Sequence, residues 1–244
     1  MIEYVGVPIG TGGMACCSRY PAGKEITFRP VAEIREDVRV VVKEWASGTG
    51  PNVTLVGVDP FKHPELPTLV RSVTGCGVKR LGMETDGVAL CSGDNAAGII
   101  SAGVRHIEVV ILAGDAYSHD RLTKIEGSFD AAMAGMASLA EVAKGLGSRI
   151  IVCGRSRICR HNFEHTPGIV CAFAEAGAST VTLEVDRAVN RGRMRPLLEA
   201  AVETGITYGV WVSIEGLTEE ELGEYSRNAL SPAYTTPFEE WRSS

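Results

Sequence analysis

The sequence predicts an α/β fold: a parallel (β/α) barrel of the TIM-barrel type, partial or full, with about six units. Three observations predict it. Short runs of apolar, largely β-branched residues alternate with amphipathic segments along the chain. No linker-like change of composition interrupts them before residue 231. No dinucleotide fingerprint marks the switch point that an open doubly wound sheet would carry. Such alternation gives a parallel sheet with helices outside, joined by right-handed crossovers.

The elements follow in order. Strands are expected at about 2–9, 53–58, 78–84, 107–113, 149–154 and 180–185, with a last candidate over 208–214. The run Ile107–Ala113 is almost continuously apolar, as expected of a strand buried on both faces. Val31, Ile34, Val38, Val41, Val42 and Trp45 recur at helical spacing. A short helix over Glu65–Val73 stops near Gly75 and Gly77, and one over Asn95–Ser101 stops at Gly103. Ser128 and Asp130 offer caps for a long helix through Leu146. Helices are also expected over Pro167–Ala176, Met194–Thr204 and about Glu219–Tyr225. Residues 1–230 then form one barrel domain. Residues 231–244, with Pro232 and Pro237, read as an irregular tail.

Composition narrows the function. With 45% hydrophobic and 22% charged residues, this is an ordinary globular chain. A net charge of −6 argues against general nucleic-acid binding. No apolar run reaches the ~20 residues that span a bilayer. Met1-Ile2-Glu3-Tyr4 does not open a secretory leader, so a cytoplasmic location is expected. Seven cysteines, an odd number, suggest reduced thiols rather than a disulfide framework.

In a parallel barrel, the loops after the strands share one face. Cys16 and Cys17 follow the first strand, His63 the second, Cys91 the third and His119 the fourth. Cys159, His161 and His165 follow the fifth. Cys16, Cys17, Cys91 and Cys159 are therefore candidate metal or cluster ligands, with ordinary half-buried thiols as the alternative. Arg155, Arg157 and Arg160 follow the fifth strand; Arg187, Arg191, Arg193 and Arg195 follow the sixth. Their planar forks suit an anionic ligand, although pairing with nearby Glu and Asp explains them equally well. Gly10-Thr11-Gly12-Gly13 can turn backbone N–H groups toward a phosphate, but it lacks the rest of a P-loop. Asp115 and Asp120 are either acid–base groups or helix caps. A pocket is expected at the strand ends, lined by Gly57, Asp59, Thr85, Asp86, Asp115 and Arg155.

Several segments, in order, resemble one family. Leu55-Val-Gly-Val-Asp-Pro60, followed by His63-Pro-Glu-Leu66, resembles a strand ending in Gly-Gly-Glu-Pro and followed by His-Pro-x-Leu. Glu84-Thr-Asp-Gly-Val-Ala-Leu90 resembles the Thr-Asn-Gly-x-x-Leu segment after the third strand. Gly103-Val104 through Leu112 resembles the fourth-strand segment. His119-Asp120-Arg121 and Gly127-Ser-Phe-Asp130 resemble the stretch leading into the next helix. Over residues 53–146 the chain thus resembles the core domain of radical S-adenosylmethionine (SAM) enzymes. The resemblance implies a (β/α)6 partial barrel, SAM at the strand ends, and Asp59 where the family's glutamate meets the SAM amino group.

It also implies a [4Fe–4S] cluster held by Cys-x3-Cys-x2-Cys after the first strand. The loop here reads Thr11-Gly-Gly-Met-Ala-Cys-Cys-Ser-Arg-Tyr-Pro21. With Cys16 as the middle ligand, the flanking positions are Gly12 and Arg19; neither is a thiolate. The expected function is therefore a degenerate radical SAM-like protein or a partner subunit of an active homologue. It would bind SAM or another anionic or nucleoside ligand, with Arg155 and Arg187 among the binding residues. Two alternatives stand beside it. One is an active enzyme with a nonstandard Fe–S site. The other is an unrelated (β/α) barrel acting on a phosphorylated metabolite.

Overall fold

The computed structural model describes residues 2–11, 25–45, 50–218, 221 and 233–237. The main sheet is built from β1 (Ile2–Pro8), β4 (Asn52–Val56), β5 (Arg80–Thr85), β6 (Val104–Val110), β7 (Ile151–Ile158), β8 (Thr180–Val185), β9 (Trp211–Glu215) and β10 (Ala233–Pro237). Its order is β10-β1-β4-β5-β6-β7-β8-β9, and every pairing in it is parallel. From β1 to β9, seven strands curl into a half-barrel in sequence order. A two-residue pair, β2 (Gly10–Thr11) and β3 (Thr27–Phe28), sits beyond the end of β1. The helices are α1 (Val31–Glu44), α2 (Leu66–Thr74), α3 (Gly93–Ser101), α4 (Ala116–Thr123), α5 (Ser128–Gly145), α6 (Thr166–Glu175) and α7 (Arg191–Tyr208).

The apolar faces of the strands meet the apolar stripes of the helices. Val5, Val7, Val53, Leu55, Leu81, Met83, Ile107 and Val109 pack with Ile34, Val38, Leu69, Val73 and Leu139 in one continuous core. Gly154 shows how tight that contact is. A Cβ there would lie 2.3 Å from the Phe173 ring, so α6 seats its aromatic directly on the β7 backbone.

Several boundaries differ from the sequence expectation. The fourth barrel strand ends at Val110 rather than Ala113, because Ile111–Ala113 leaves the ladder to enter the next loop while staying buried. The fifth runs on to Ile158, so Arg155 and Arg157 lie within the strand and not after it. Helix α7 extends to Tyr208, where a strand was expected to begin. Helix α4 was not foreseen; its eight residues are mostly polar and carry little apolar period. Residues 233–237, expected to be irregular, add a parallel strand to the β1 edge. Glu219–Tyr225 falls almost wholly outside the described residues, as do Gly12, Gly13, Cys16 and Cys17.

Candidate functional site at the strand ends

Strand β4 ends at Val56, and Gly57 turns the chain with φ +100°, a conformation that favours glycine. The turn presents Asp59, whose Oδ1 accepts hydrogen bonds from the Phe61 N–H (2.9 Å) and the Thr85 hydroxyl (3.1 Å). Thr85, at the end of β5, also accepts from the Gly87 N–H at 3.1 Å. Asp86 accepts from Lys62 Nζ at 2.7 Å and from the Val88 N–H at 3.1 Å. Asp59, Thr85, Asp86 and Lys62 therefore form one cluster across two neighbouring strand ends. Lys62 was missing from the expected set; its position three residues after Asp59 was the available signal.

Asp59 is the unusual member. Its side chain is 7% exposed, and Oδ2 is buried without a hydrogen-bond partner; Lys62 Nζ approaches it only to 4.0 Å. Burial, then the Asp86 carboxylate beside it, pushes its pKa up from 3.8 to about 7. Asp86 moves the other way. Burial would raise it, but Asp59 and Lys62 hold it below its usual value. The pair holds one negative charge firmly and a second loosely near neutral pH.

Asp86 also borders a cleft of about 160 Å3 lined by Val88, Val110, His119, Ile125, Gly127, Ser128 and others. The family-like residues around it act as scaffold. His119 accepts the Leu112 N–H at Nδ1 (3.0 Å), and burial lowers its pKa. Asp120 accepts from the Gly127 and Phe129 N–H groups and the Ser128 hydroxyl, capping the start of α5. Those hydrogen bonds, led by Phe129, hold its carboxyl below the ordinary value. Asp115 caps α4 through the Ser118 N–H at 2.8 Å and lies 3.6 Å from His165 Nδ1.

The arginines have partners of their own. Arg155 is 3% exposed and points into the barrel. Its Nε pairs with Glu108, Nη1 with Glu184 (3.3 Å) and Glu215 (3.0 Å), and Nη2 with Glu215 (3.4 Å). These carboxylates, burial notwithstanding, raise its pKa. Arg157 pairs with Asp186, Arg191 with Glu221, Arg193 with Glu164 and Arg195 with Glu199. Arg160 contacts His161, and Arg187 is exposed. Most of the expected anion-binding row is thus paired within the protein.

Glu108 and Glu215 were missed by the sequence reading. Strand alternation was the signal: in Thr180–Val185 and Trp211–Glu215 a polar residue recurs at every second position. The register puts His106 and Glu108 of β6, Cys153 and Arg155 of β7, Thr182 and Glu184 of β8 and Ser213 and Glu215 of β9 on one face. The concave side of the half-barrel is polar, and its convex side is the apolar core.

Of the four candidate thiols, Cys91 and Cys159 lie among the described residues. Cys91 is exposed, and its Sγ donates to the Ala131 carbonyl on α5. Cys159 is buried beside Leu112. No group of three His, Cys, Asp or Glu suited to a metal occurs among the described residues. Nor does Cys-x3-Cys-x2-Cys occur anywhere in the sequence. The spacing of a conventional three-thiolate cluster site is thus absent from the sequence, and Cys16 and Cys17 lie outside the described residues. No helix among the described residues is long and apolar enough to cross a membrane.

No family model matches the chain. It is 27% identical over 104 residues to an AdoMet-dependent heme synthase of Oleidesulfovibrio alaskensis (strain ATCC BAA-1058 / DSM 17464 / G20), covering 43% of this chain and 26% of that protein. Streptococcus suis SuiB, in a structure bound to S-adenosylmethionine, superposes with a TM-score of 0.66 at 11% identity, over 92% of this chain and 52% of SuiB. HydG, a maturase of the [FeFe]-hydrogenase, gives 0.67 at 10% identity over 97% of this chain and 57% of its own. Methylornithine synthase (PylB) gives 0.56 at 10% identity over 99% and 85%. The chain spans about a quarter of the heme synthase and about half of SuiB and HydG. By its curled parallel sheet and these relatives, this chain has the fold of the radical SAM superfamily.

Proposed function

We propose that this protein binds SAM, or a closely related nucleoside, at the C-terminal ends of β4 and β5, and that its first-strand loop is degenerate as a cluster site. Asp59 carries the reading. It sits in the motif position that meets an amino group in the family, on a buried carboxylate oxygen with no hydrogen-bond partner. A ligand ammonium group supplies the hydrogen-bond donors that Lys62, at 4.0 Å, does not give this oxygen. Thr85 fixes the other oxygen, and Asp86 adds a second carboxylate within the cluster. Aspartate keeps the charge of the family's glutamate with a shorter reach.

Two adjacent cysteines, Cys16 and Cys17, replace the three spaced thiolates. The proposed role is therefore a ligand-binding homologue or partner subunit rather than a conventional radical SAM catalyst. The phosphorylated-metabolite alternative loses its main support, because five of the arginines it relied on are ion-paired.

Calorimetric titration with SAM tests the binding, comparing the protein with Asp59→Asn. Saturable binding that Asp59→Asn weakens about tenfold or more, one charge-assisted hydrogen bond, supports the reading. No binding, or binding indifferent to Asp59, overturns it. Anaerobic reconstitution with iron and sulfide tests the second part. A stable four-iron cluster held by thiolates of residues 8–21 would overturn the degenerate assignment.

A further inference from the structure

Lys62 stands beside both carboxylates of the strand-end cluster and has donors left over. Its Nζ donates to Asp86 Oδ2 at 2.7 Å and reaches Asp59 Oδ2 only to 4.0 Å. An ammonium carries three N–H donors, so one is engaged on Asp86 and none on Asp59. The side chain is 51% exposed, which leaves its outer face open to a ligand. Both oxygens of Asp86 are engaged, Oδ2 by Lys62 and Oδ1 by the Val88 N–H. Asp59 Oδ1 is likewise engaged by Phe61 and Thr85. Asp59 Oδ2, buried and without a hydrogen-bond partner, is what remains for a cation.

Proximity then sets what kind of cation is favoured. An ammonium on Asp59 Oδ2 has Lys62 for a neighbour, since 4.0 Å separates that oxygen from Nζ. Two ammonium groups side by side repel, and a simple amine has nothing to offset the repulsion. An α-amino acid does. Its carboxylate is attached to the carbon that bears the ammonium, so it comes within reach of Lys62 while the ammonium stays on Asp59. Lys62 then attracts that carboxylate through donors that Asp86 does not use. The same lysine thus repels one class of head group and attracts another, and such a difference makes a site selective. Asp86 also lines the cleft of about 160 Å3, which offers the body of such a ligand a place beside its head group.

We propose that Lys62 makes the strand-end site selective for an α-amino acid head group, with Asp59 holding the ammonium and Lys62 the carboxylate. This rests on the reading that Asp59 binds a ligand ammonium, and goes beyond it: an amine without a carboxylate would satisfy Asp59 alone.

SAM and its decarboxylated analogue, which keeps the ammonium and lacks the carboxylate, form one pair of probes. L-Methionine and methylthiopropylamine form a second pair, without the nucleoside. Each is titrated calorimetrically into the whole protein and into its Lys62→Met and Lys62→Arg variants. In the parent, each amino acid should bind about tenfold or more tighter than its amine, the worth of one charge-assisted hydrogen bond. Lys62→Met should weaken both amino acids about tenfold and leave the amines no weaker, which erases the preference; Lys62→Arg should keep it. Equal binding of amino acid and amine by the parent overturns the proposal. So does a Lys62→Met variant that weakens both members of a pair alike, or tightens both alike. SAM binding that depends on Asp59 but not on Lys62 overturns it and leaves the SAM reading intact. L-Methionine binding that depends on Lys62, in a protein that does not bind SAM, overturns the SAM reading alone. No saturable binding of any of the probes at millimolar concentration overturns both.

Discussion

Asp59 couples protonation to both ligand and fold. An unfolded aspartate ionises near 3.8, whereas in the folded protein this one keeps its proton to about pH 7. Between those values the native state binds more protons than the unfolded state, so stability falls as pH rises, and the cost is constant above the folded pKa. Asp59→Asn removes that cost. The variant should gain on the parent across pH 4–7, by on the order of a few kcal/mol at neutral pH, as read by urea unfolding. A difference independent of pH would show that Asp59 is ionised throughout. Ligand binding has the opposite sign: an ammonium needs the carboxylate, so SAM affinity should rise through about pH 7 in the parent and stay flatter in Asp59→Asn.

Among the elements, two contacts show where the fold is least tolerant. Helix α5 begins on Asp120, which takes two backbone N–H groups and the Ser128 hydroxyl. Asp120→Ala should lower stability measurably, as loss of a helix cap does, without altering SAM affinity. A drop in SAM affinity with no loss of stability would instead place Asp120 in the binding site. Strand β7 meets α6 at Gly154, where an added methyl lands on the Phe173 ring. Gly154→Ala should destabilise by roughly 1–3 kcal/mol, the usual cost of overpacking a core. Pairing it with Phe173→Leu should recover part of that loss in denaturant unfolding.

For the whole molecule, the half-barrel is held from inside by charge. Arg155 of β7 ties together carboxylates of β6, β8 and β9. Arg155→Leu leaves those carboxylates buried without their common partner and should cost about 3–5 kcal/mol. Loss of less than 1 kcal/mol would mean that water already screens the interior.

What the sequence determined was set by local periodicity. Apolar runs such as Val53–Val56 and helical stripes such as Ile34, Val38 and Val41 report which side of each element is buried, and that is enough to fix the (β/α) order and the parallel sheet. That Asp59, Thr85 and Asp86 would come to lie close together was legible too, because parallel barrels gather their strand ends on one face. The tertiary structure alone decided which charges meet. Arg155 looked like a loop residue because the strand's end cannot be read from its own residues. Only closure of β6, β8 and β9 around it supplies the carboxylates that let a guanidinium continue the strand inward. Asp115 and Asp120 likewise read as acid–base groups or caps until the chain folded back and offered them backbone N–H groups. Pairings between residues distant in sequence depend on the curvature of the sheet, and a one-dimensional pattern carries no record of that curvature.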